Sequence, residues 1–394
     1  MSLTRRRLFQ RLAALDGSPS HEWISARGRE AGLIERGEQG MAGAAMKPVR
    51  IASNENPVGP GQHVLDAMIG KFPEGHRYPF NARQNDGALV NALMAKFNAK
   101  AENVALGAGS GELLVSAVRA FTSPTKALVT ALPSFEAPRD TAKKLGSAVK
   151  EVPVDDKLRL DINKMVQASK DAGLVFFCNP NNPTSTVHGK TTVADMVKQI
   201  RAASPDTVIL IDEAYHDYVT DPSYQSSIDI ALTTPNVFVT RTFSKAYGMA
   251  GLRAGYAIGH PASIRELNRF RMPYGIGTLV LGGTIVGLGN QAHIEAERKR
   301  NTEVRTFTLK AFADMGISGA DSQANFIFTN IKRPAAGFRD ACRAAGVLVG
   351  RDFPPFEKTH CRISLGTMEE MQRAVAVFKR VLTNTTTTAS KDRQ

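Results

Sequence analysis

Five short apolar runs mark the middle of the chain: KALVTA (126–131), LVFFC (174–178), TVILID (207–212), VFVTR (237–241) and GYAIG (255–259). Several are apolar at nearly every position rather than at alternate ones, the pattern of strands covered on both faces. Segments with helical spacing separate or follow them, at 111–121, 191–202, 262–271, 291–314 and 368–382. This alternation predicts an α/β fold built on a mostly parallel mixed sheet flanked by helices. Ligand-binding groups then gather beyond the carboxyl ends of the strands. At 394 residues the chain has room for one large domain and a smaller one.

Composition narrows the function classes. No run of about 18 apolar residues occurs, so no spanning helix and no membrane partner are expected. The formal charge of +13 suits nucleic acid, a membrane surface or anionic small molecules. The cationic residues are scattered, however, without zinc-finger spacing or an RNA-type aromatic motif, so nucleic acid is not expected. Cys178, Cys342 and Cys361 lack metal-ligand or disulfide spacing, and no metal is expected.

The chain ends read differently from the middle. TRRRLFQ (4–10) has a twin-arginine pattern, which points to export to the periplasm. The polar, charged stretch that follows lacks the apolar region such a leader needs, which favours the cytoplasm. The tail TNTTTTASKDRQ is of low complexity, and disorder is expected.

Four motifs at predicted strand ends carry chemistry. LGAGSGELL (106–114) is a glycine-rich turn opening a helix, whose free N–H groups favour an anion, although glycine turns are common. CNPNNPTS (178–185) is a rigid turn that offers amide donors. IDEAYHDY (211–218) places Asp212 at the end of an apolar strand, where a carboxylate needs a cationic partner or serves as a helix cap. TRTFSKAYGMAGLRAGY (240–256) combines Lys245 with phosphate-type donors in Thr242, Ser244 and Arg253. A lysine among apolar and cationic neighbours loses proton affinity and becomes a usable nucleophile. Pyridoxal 5'-phosphate needs all four: an amine, a carboxylate facing its ring nitrogen, donors at its phenolic oxygen and a multi-donor phosphate cup.

From about Met46 to Leu382 the chain resembles the fold type I pyridoxal-phosphate aminotransferases, most closely the histidinol-phosphate aminotransferase group. The resemblance rests on SNENPVGP (53–60), RYP (77–79), GAGSGELL (107–114), NPNNPT (179–184), DEAY (212–215), TFSKAYGMAGLRAGY (242–256) and RISLGTMEEM (362–371). It implies that Lys245 bonds the cofactor and shuttles the substrate's alpha proton. Asp212 keeps the ring nitrogen protonated, and Tyr215 and Asn182 bond the phenolic oxygen. Phe135 stacks on the ring; Ser110, Gly111, Thr242, Ser244 and Arg253 hold the phosphate. Arg362, Arg351 and Asn54 are the implied substrate contacts. Tyr78 is implied to reach the cofactor of a neighbouring subunit, so a homodimer is expected.

The implied organisation is a leader-like extension over 1–46, a segment over 47–75 joining the small domain, a large cofactor domain over 76–285, a small domain over 286–383 and a tail over 384–394. The implied reaction moves an amino group from an amino acid or an amino-phosphate, such as histidinol phosphate, to a 2-oxo acid such as 2-oxoglutarate. A decarboxylase or lyase of the threonine-phosphate decarboxylase type is the alternative on the same scaffold. Three departures from the group's pattern bear on substrate: Gly111 stands at an often acidic position, Ser185 at a usual glycine, and MPYGIG (272–277) has glycines where an asparagine is common.

Overall fold

The computed structural model describes residues 47–79 and 87–383. The twin-arginine pattern and the tail lie outside the described residues.

Eleven strands follow in chain order among the described residues: β1 (Val49–Ile51), β2 (Val104–Gly107), β3 (Leu128–Leu132), β4 (Val149–Pro153), β5 (Leu174–Cys178), β6 (Val208–Asp212), β7 (Val237–Thr242), β8 (Gly255–Gly259), β9 (Phe326–Asn330), β10 (Val347–Val349) and β11 (His360–Ser364). Seven of them form one sheet in the order β2-β8-β7-β6-β5-β3-β4. Only β8 runs antiparallel to its neighbours. All five strands read from the sequence are present, two with the same bounds. Apart from Leu132 at the end of β3 their residues are all buried, as the continuous apolar runs require: Phe176 and Phe177 point to opposite faces, and both are fully covered.

The strands that sequence reading missed lack that signal. β4, VKEVP, alternates apolar with charged residues at a sheet edge, and β2 is only four residues long. β1 pairs in parallel with β10, and β11 pairs antiparallel with β9. These two small sheets share an apolar cluster, with Ile51, Phe312, Ile363 and Phe378 at its centre, separate from the clusters on the large sheet. The first pairing joins residues almost 300 positions apart, which no local pattern announces.

The helix Thr278–Gly289 was missed for a different reason. Its sequence, TLVLGGTIVGLG, is apolar all round and has no 3.6-residue stripe. A Cβ on Gly283 would lie 2.8 Å from Met68 Cγ, so glycine lets the helix Gln62–Gly70 pack close. Among the described residues no helix is long and apolar enough to cross a membrane. No group of three or more metal-ligating side chains exists among them.

Candidate active site

Parallel strands present their carboxyl ends on one edge of the sheet, and the four motifs meet there. Residues following β2, β3, β5, β6 and β7 line a cavity of about 650 Å³, together with residues of β11 and the turn after β1. The cavity takes in every cofactor-side residue expected from the sequence except Tyr78. Tyr78 is 80% exposed and stacks on Tyr274 elsewhere on the surface.

Asp212 forms the floor. It is the last residue of β6, directly opposite Thr240 of β7. Thr240 Oγ1 donates to its Oδ1 at 2.8 Å, and Cys178 Sγ lies 3.9 Å from its Oδ2. Burial is the main reason its pKa is raised to about 6, and the adjacent Glu213 adds to the effect. A buried carboxylate with so few donors is a site prepared for a cation.

Lys245 follows β7 and lines the same cavity as Asp212. Its Nζ donates to the Ser53 carbonyl at 3.2 Å and sits 5.6 Å from the centre of the Tyr215 ring. Burial lowers its pKa to about 8, helped by the positive charges of Arg362 and Arg253. An appreciable share of the amine is therefore neutral near physiological pH.

Beyond β2, Gly109 adopts φ +77° and turns the chain into the helix Ser110–Phe121. The first N–H groups of that helix have no intrahelical partner, and its first two residues, Ser110 and Gly111, line the cavity. Arg253 Nη1 donates to Ser244 Oγ at 3.2 Å, and Thr242 Oγ1 to Ser244 Oγ at 2.9 Å. These donors converge on one spot, and they fit a phosphate monoester. The cup is tightly built: a Cβ on Gly109 would lie 2.2 Å from Arg253 Nη2. Gly109→Ala, strained at a positive φ and pushing Arg253 aside, is expected to weaken cofactor affinity by at least about tenfold. Titrating the cofactor-free variant with pyridoxal phosphate, followed by absorbance, checks this; wild-type affinity would contradict the cup. Gly111, by contrast, has open space around it, so the missing acidic side chain costs the cup no contact.

The residues expected to contact substrate line the same cavity or stand beside it. Arg362 of β11 is 4% exposed and packs over Phe326 and Phe353. Its Nη1 donates to Asn182 Oδ1 at 2.8 Å and its Nη2 to the Ala52 carbonyl at 2.6 Å, while its Nε is buried without a partner. Burial lowers its pKa to about 10. Asn182 thus holds the arginine with its oxygen and keeps its amide N–H₂ as a donor. Tyr215 OH accepts from Asn54 Nδ2 at 3.1 Å, and burial raises its pKa. Phe135 lines the wall between these groups.

Two expected substrate contacts are less free than the sequence suggests. Asn54 Oδ1 accepts from Ser364 Oγ at 2.7 Å, so its side chain is committed at both ends and braces Tyr215. Arg351 is ion-paired with Glu136 and lies 4.4 Å from the centre of the Phe353 ring. Sequence reasoning did not single out Ser364, Glu136, or Arg339 and Arg343, which reach the cavity rim from the helix Ala335–Ala344. The helical spacing of that segment was the available signal, since it puts Arg339 and Arg343 on one face.

Comparison with known proteins agrees with this geometry. The model of the family "Aminotransferase class I and II" matches residues 47–378. The histidinol-phosphate aminotransferase of Moorella thermoacetica is 32% identical over 343 residues, covering 85% of each chain. Histidinol-phosphate aminotransferase 1 of Nitrosococcus oceani is 34% identical over 356 residues, covering 89% of this chain and 91% of that one. Neither relative bears a decarboxylase name. Among solved structures, the histidinol-phosphate aminotransferase of Sinorhizobium meliloti, in complex with pyridoxal-5'-phosphate, superposes with a TM-score of 0.79. It covers 93% of this chain and 95% of its own at 24% identity, and at that identity the likeness is one of fold. The chain belongs to the class I and II aminotransferase family and is a pyridoxal-phosphate-dependent transaminase of fold type I.

Proposed function

We propose that this transaminase takes its amino group from an anionic donor, an amino acid or an amino-phosphate of the histidinol-phosphate kind, and passes it to a 2-oxo acid such as 2-oxoglutarate. The observation that carries this reading is Lys245, Asp212 and Arg362 lining one cavity. When bound, pyridoxal phosphate supplies an electron sink for the substrate's alpha carbon. Asp212 holds a proton at the ring nitrogen. Lys245 would hold the cofactor and would move the proton at the substrate's alpha carbon. Ser110, Gly111, Thr242, Ser244 and Arg253 would hold the phosphate, and Phe135 would pack against the ring. Tyr215 and the amide of Asn182 bond the phenolic oxygen.

Arg362 orients the substrate. Its planar fork matches a carboxylate or a phosphate, and Asn182, Ala52 and the two phenyl rings fix its direction before substrate arrives. The same arginine serves donor and acceptor in turn, since both are anions. Arg351 is the second anion contact, once released from Glu136. The curated relatives support the histidinol-phosphate reading by name.

The working unit is read as a homodimer. Tyr78, Tyr274, Met272 and Phe72 are large and exposed, with Tyr78 remote from its own cavity, which suits a surface that a second copy covers. Residues 47–75 with 286–383 are read as the smaller domain and 76–285 as the larger; the pairing of β1 with β10 supports this division.

A panel of amino donors tested with 2-oxoglutarate checks the substrate reading, with histidinol phosphate expected among the best. Arg362→Lys should raise KM for both substrates by about tenfold or more and leave cofactor absorbance intact, because a point charge replaces the two-pronged contact. Unchanged KM for both would reject Arg362 as the anchor, and inactivity of histidinol phosphate beside an active amino acid would reject the amino-phosphate donor.

A further inference from the structure

Asp212 has few contacts of its own: one threonine hydroxyl, a distant thiol and the backbone N–H of Ala214. Its direction therefore depends on the backbone that carries it, the last step of the β6–β7 ladder. One residue further along both segments lies a second pair, Glu213 and Arg241, which are 2% and 8% exposed. Successive residues of a strand alternate faces, and neither of the two lines the cavity. Glu213 Oε2 accepts from Arg241 Nε at 3.0 Å and Nη2 at 2.8 Å, and also from Ser226 Oγ at 2.8 Å. Its Oε1 accepts from the Ser227 N–H at 2.6 Å, at the head of the helix Ile228–Thr233. Arg241 also donates to Ser226 Oγ at 2.7 Å and lies 5.6 Å from the centre of the Phe97 ring. The backbone N–H of Glu213 donates to the Thr240 carbonyl at 2.9 Å, closing the ladder beside Asp212.

We propose that Glu213 and Arg241 are a positioning pair for Asp212: the ion pair clamps the ends of β6 and β7 to the Ser226–Ser227 turn and so aims the Asp212 carboxylate into the cavity. A buried ion pair is a costly way to join strands, and an apolar pair of similar size is often as stable. What the ion pair adds is direction, because four acceptor contacts on one carboxylate fix its orientation. The negative charge of Glu213 also reinforces the preference of Asp212 for a cation in front of it.

The test uses Glu213→Gln, which keeps the shape and removes the charge. Groups that could titrate around the pair are Asp217, Tyr224, Tyr256, His216, Lys96 and Arg298, and around Asp212 they are Lys245, Cys178 and Tyr215. They are unchanged in the variant and so are controlled by comparison with the parent protein. The expected result is a kcat lower by about tenfold to a hundredfold with KM for the amino donor nearly unchanged, the signature of lost alignment rather than lost binding. In the cofactor-free protein, carbon-13 NMR of carboxyl-labelled aspartate should show Asp212 titrating at lower pH than in the parent. Ser226→Ala, a single hydroxyl loss that spares the ion pair, is the companion variant and should lower kcat in the same direction by a smaller factor. If Glu213→Gln fails to fold, the Ser226→Ala kcat decides. A kcat within twofold of the parent, with Asp212 titrating as before, overturns the proposal and leaves the pair a purely structural bond.

Discussion

Lys245→Ala should abolish transamination. On the proposed assignment the variant loses both the amine that bonds the cofactor and the base that moves the alpha proton. Proton transfer by a positioned side chain is worth about 10²–10⁴-fold by itself, so kcat should fall by at least about 10⁴-fold. Cofactor affinity should fall less, because the cup of Ser110, Thr242, Ser244 and Arg253 is untouched. Small primary amines added to the variant should restore part of the activity, since the cavity gains the volume of the lost side chain. The parent protein offers a pH check. With the Lys245 pKa lowered to about 8, chiefly by burial, the neutral amine is lost as pH falls through that value. Capture of pyridoxal phosphate by the cofactor-free protein should therefore speed up as pH rises, with its midpoint near 8. Retained turnover in Lys245→Ala, or capture independent of pH, would remove Lys245 from its assigned role.

The second large effect belongs to Asp212→Asn. Turnover should fall by about 10²–10³-fold, the usual loss when a preorganised charge contact at the reacting group is removed. Stability should move the other way. The folded pKa is raised from 3.8 to about 6, mainly by burial. The group's favourable contribution is complete below its unfolded pKa and disappears as pH rises through about 6. Above that value the cofactor-free protein holds a buried, poorly paired carboxylate, a penalty of roughly 3 kcal/mol. Asparagine removes it. The cofactor-free variant should therefore melt higher than the parent at pH 8 and about equally at pH 4, whereas added cofactor should stabilise the parent more than the variant. Calorimetry of both proteins at the two pH values, with and without pyridoxal phosphate, checks the prediction. A variant less stable than the parent at pH 8 would show that Asp212 is a structural cap rather than a waiting anion.

Much of the large sheet was legible because it is buried on both faces. LVFFC and GYAIG have no polar position that could face water, so the sequence permits little else for them. The chemistry was legible for a related reason. Asp212 ends an apolar strand and Lys245 follows one, and only together with the other motifs do they meet the needs of a single cofactor. Their motifs are local, each a few residues long.

The contacts between motifs were not legible. Arg362 finds Asn182, 180 positions away, and Asn54 finds Ser364, 310 positions away. Arg351 and Asn54 read as open ligands in the sequence, yet the fold gives each a partner. The paired burial of Glu213 and Arg241 likewise has no sequence signal, since each stands beside a residue with a more conspicuous role. The sequence by itself determined the mostly parallel sheet, the cofactor and the residues proposed to touch it, because each follows from short-range apolar pattern or from the needs of one small molecule. Tertiary structure alone decided that Arg351 and Asn54 are given partners and that Glu213 and Arg241 pair beside Asp212, because those contacts depend on side chains that meet only when distant segments close on one another.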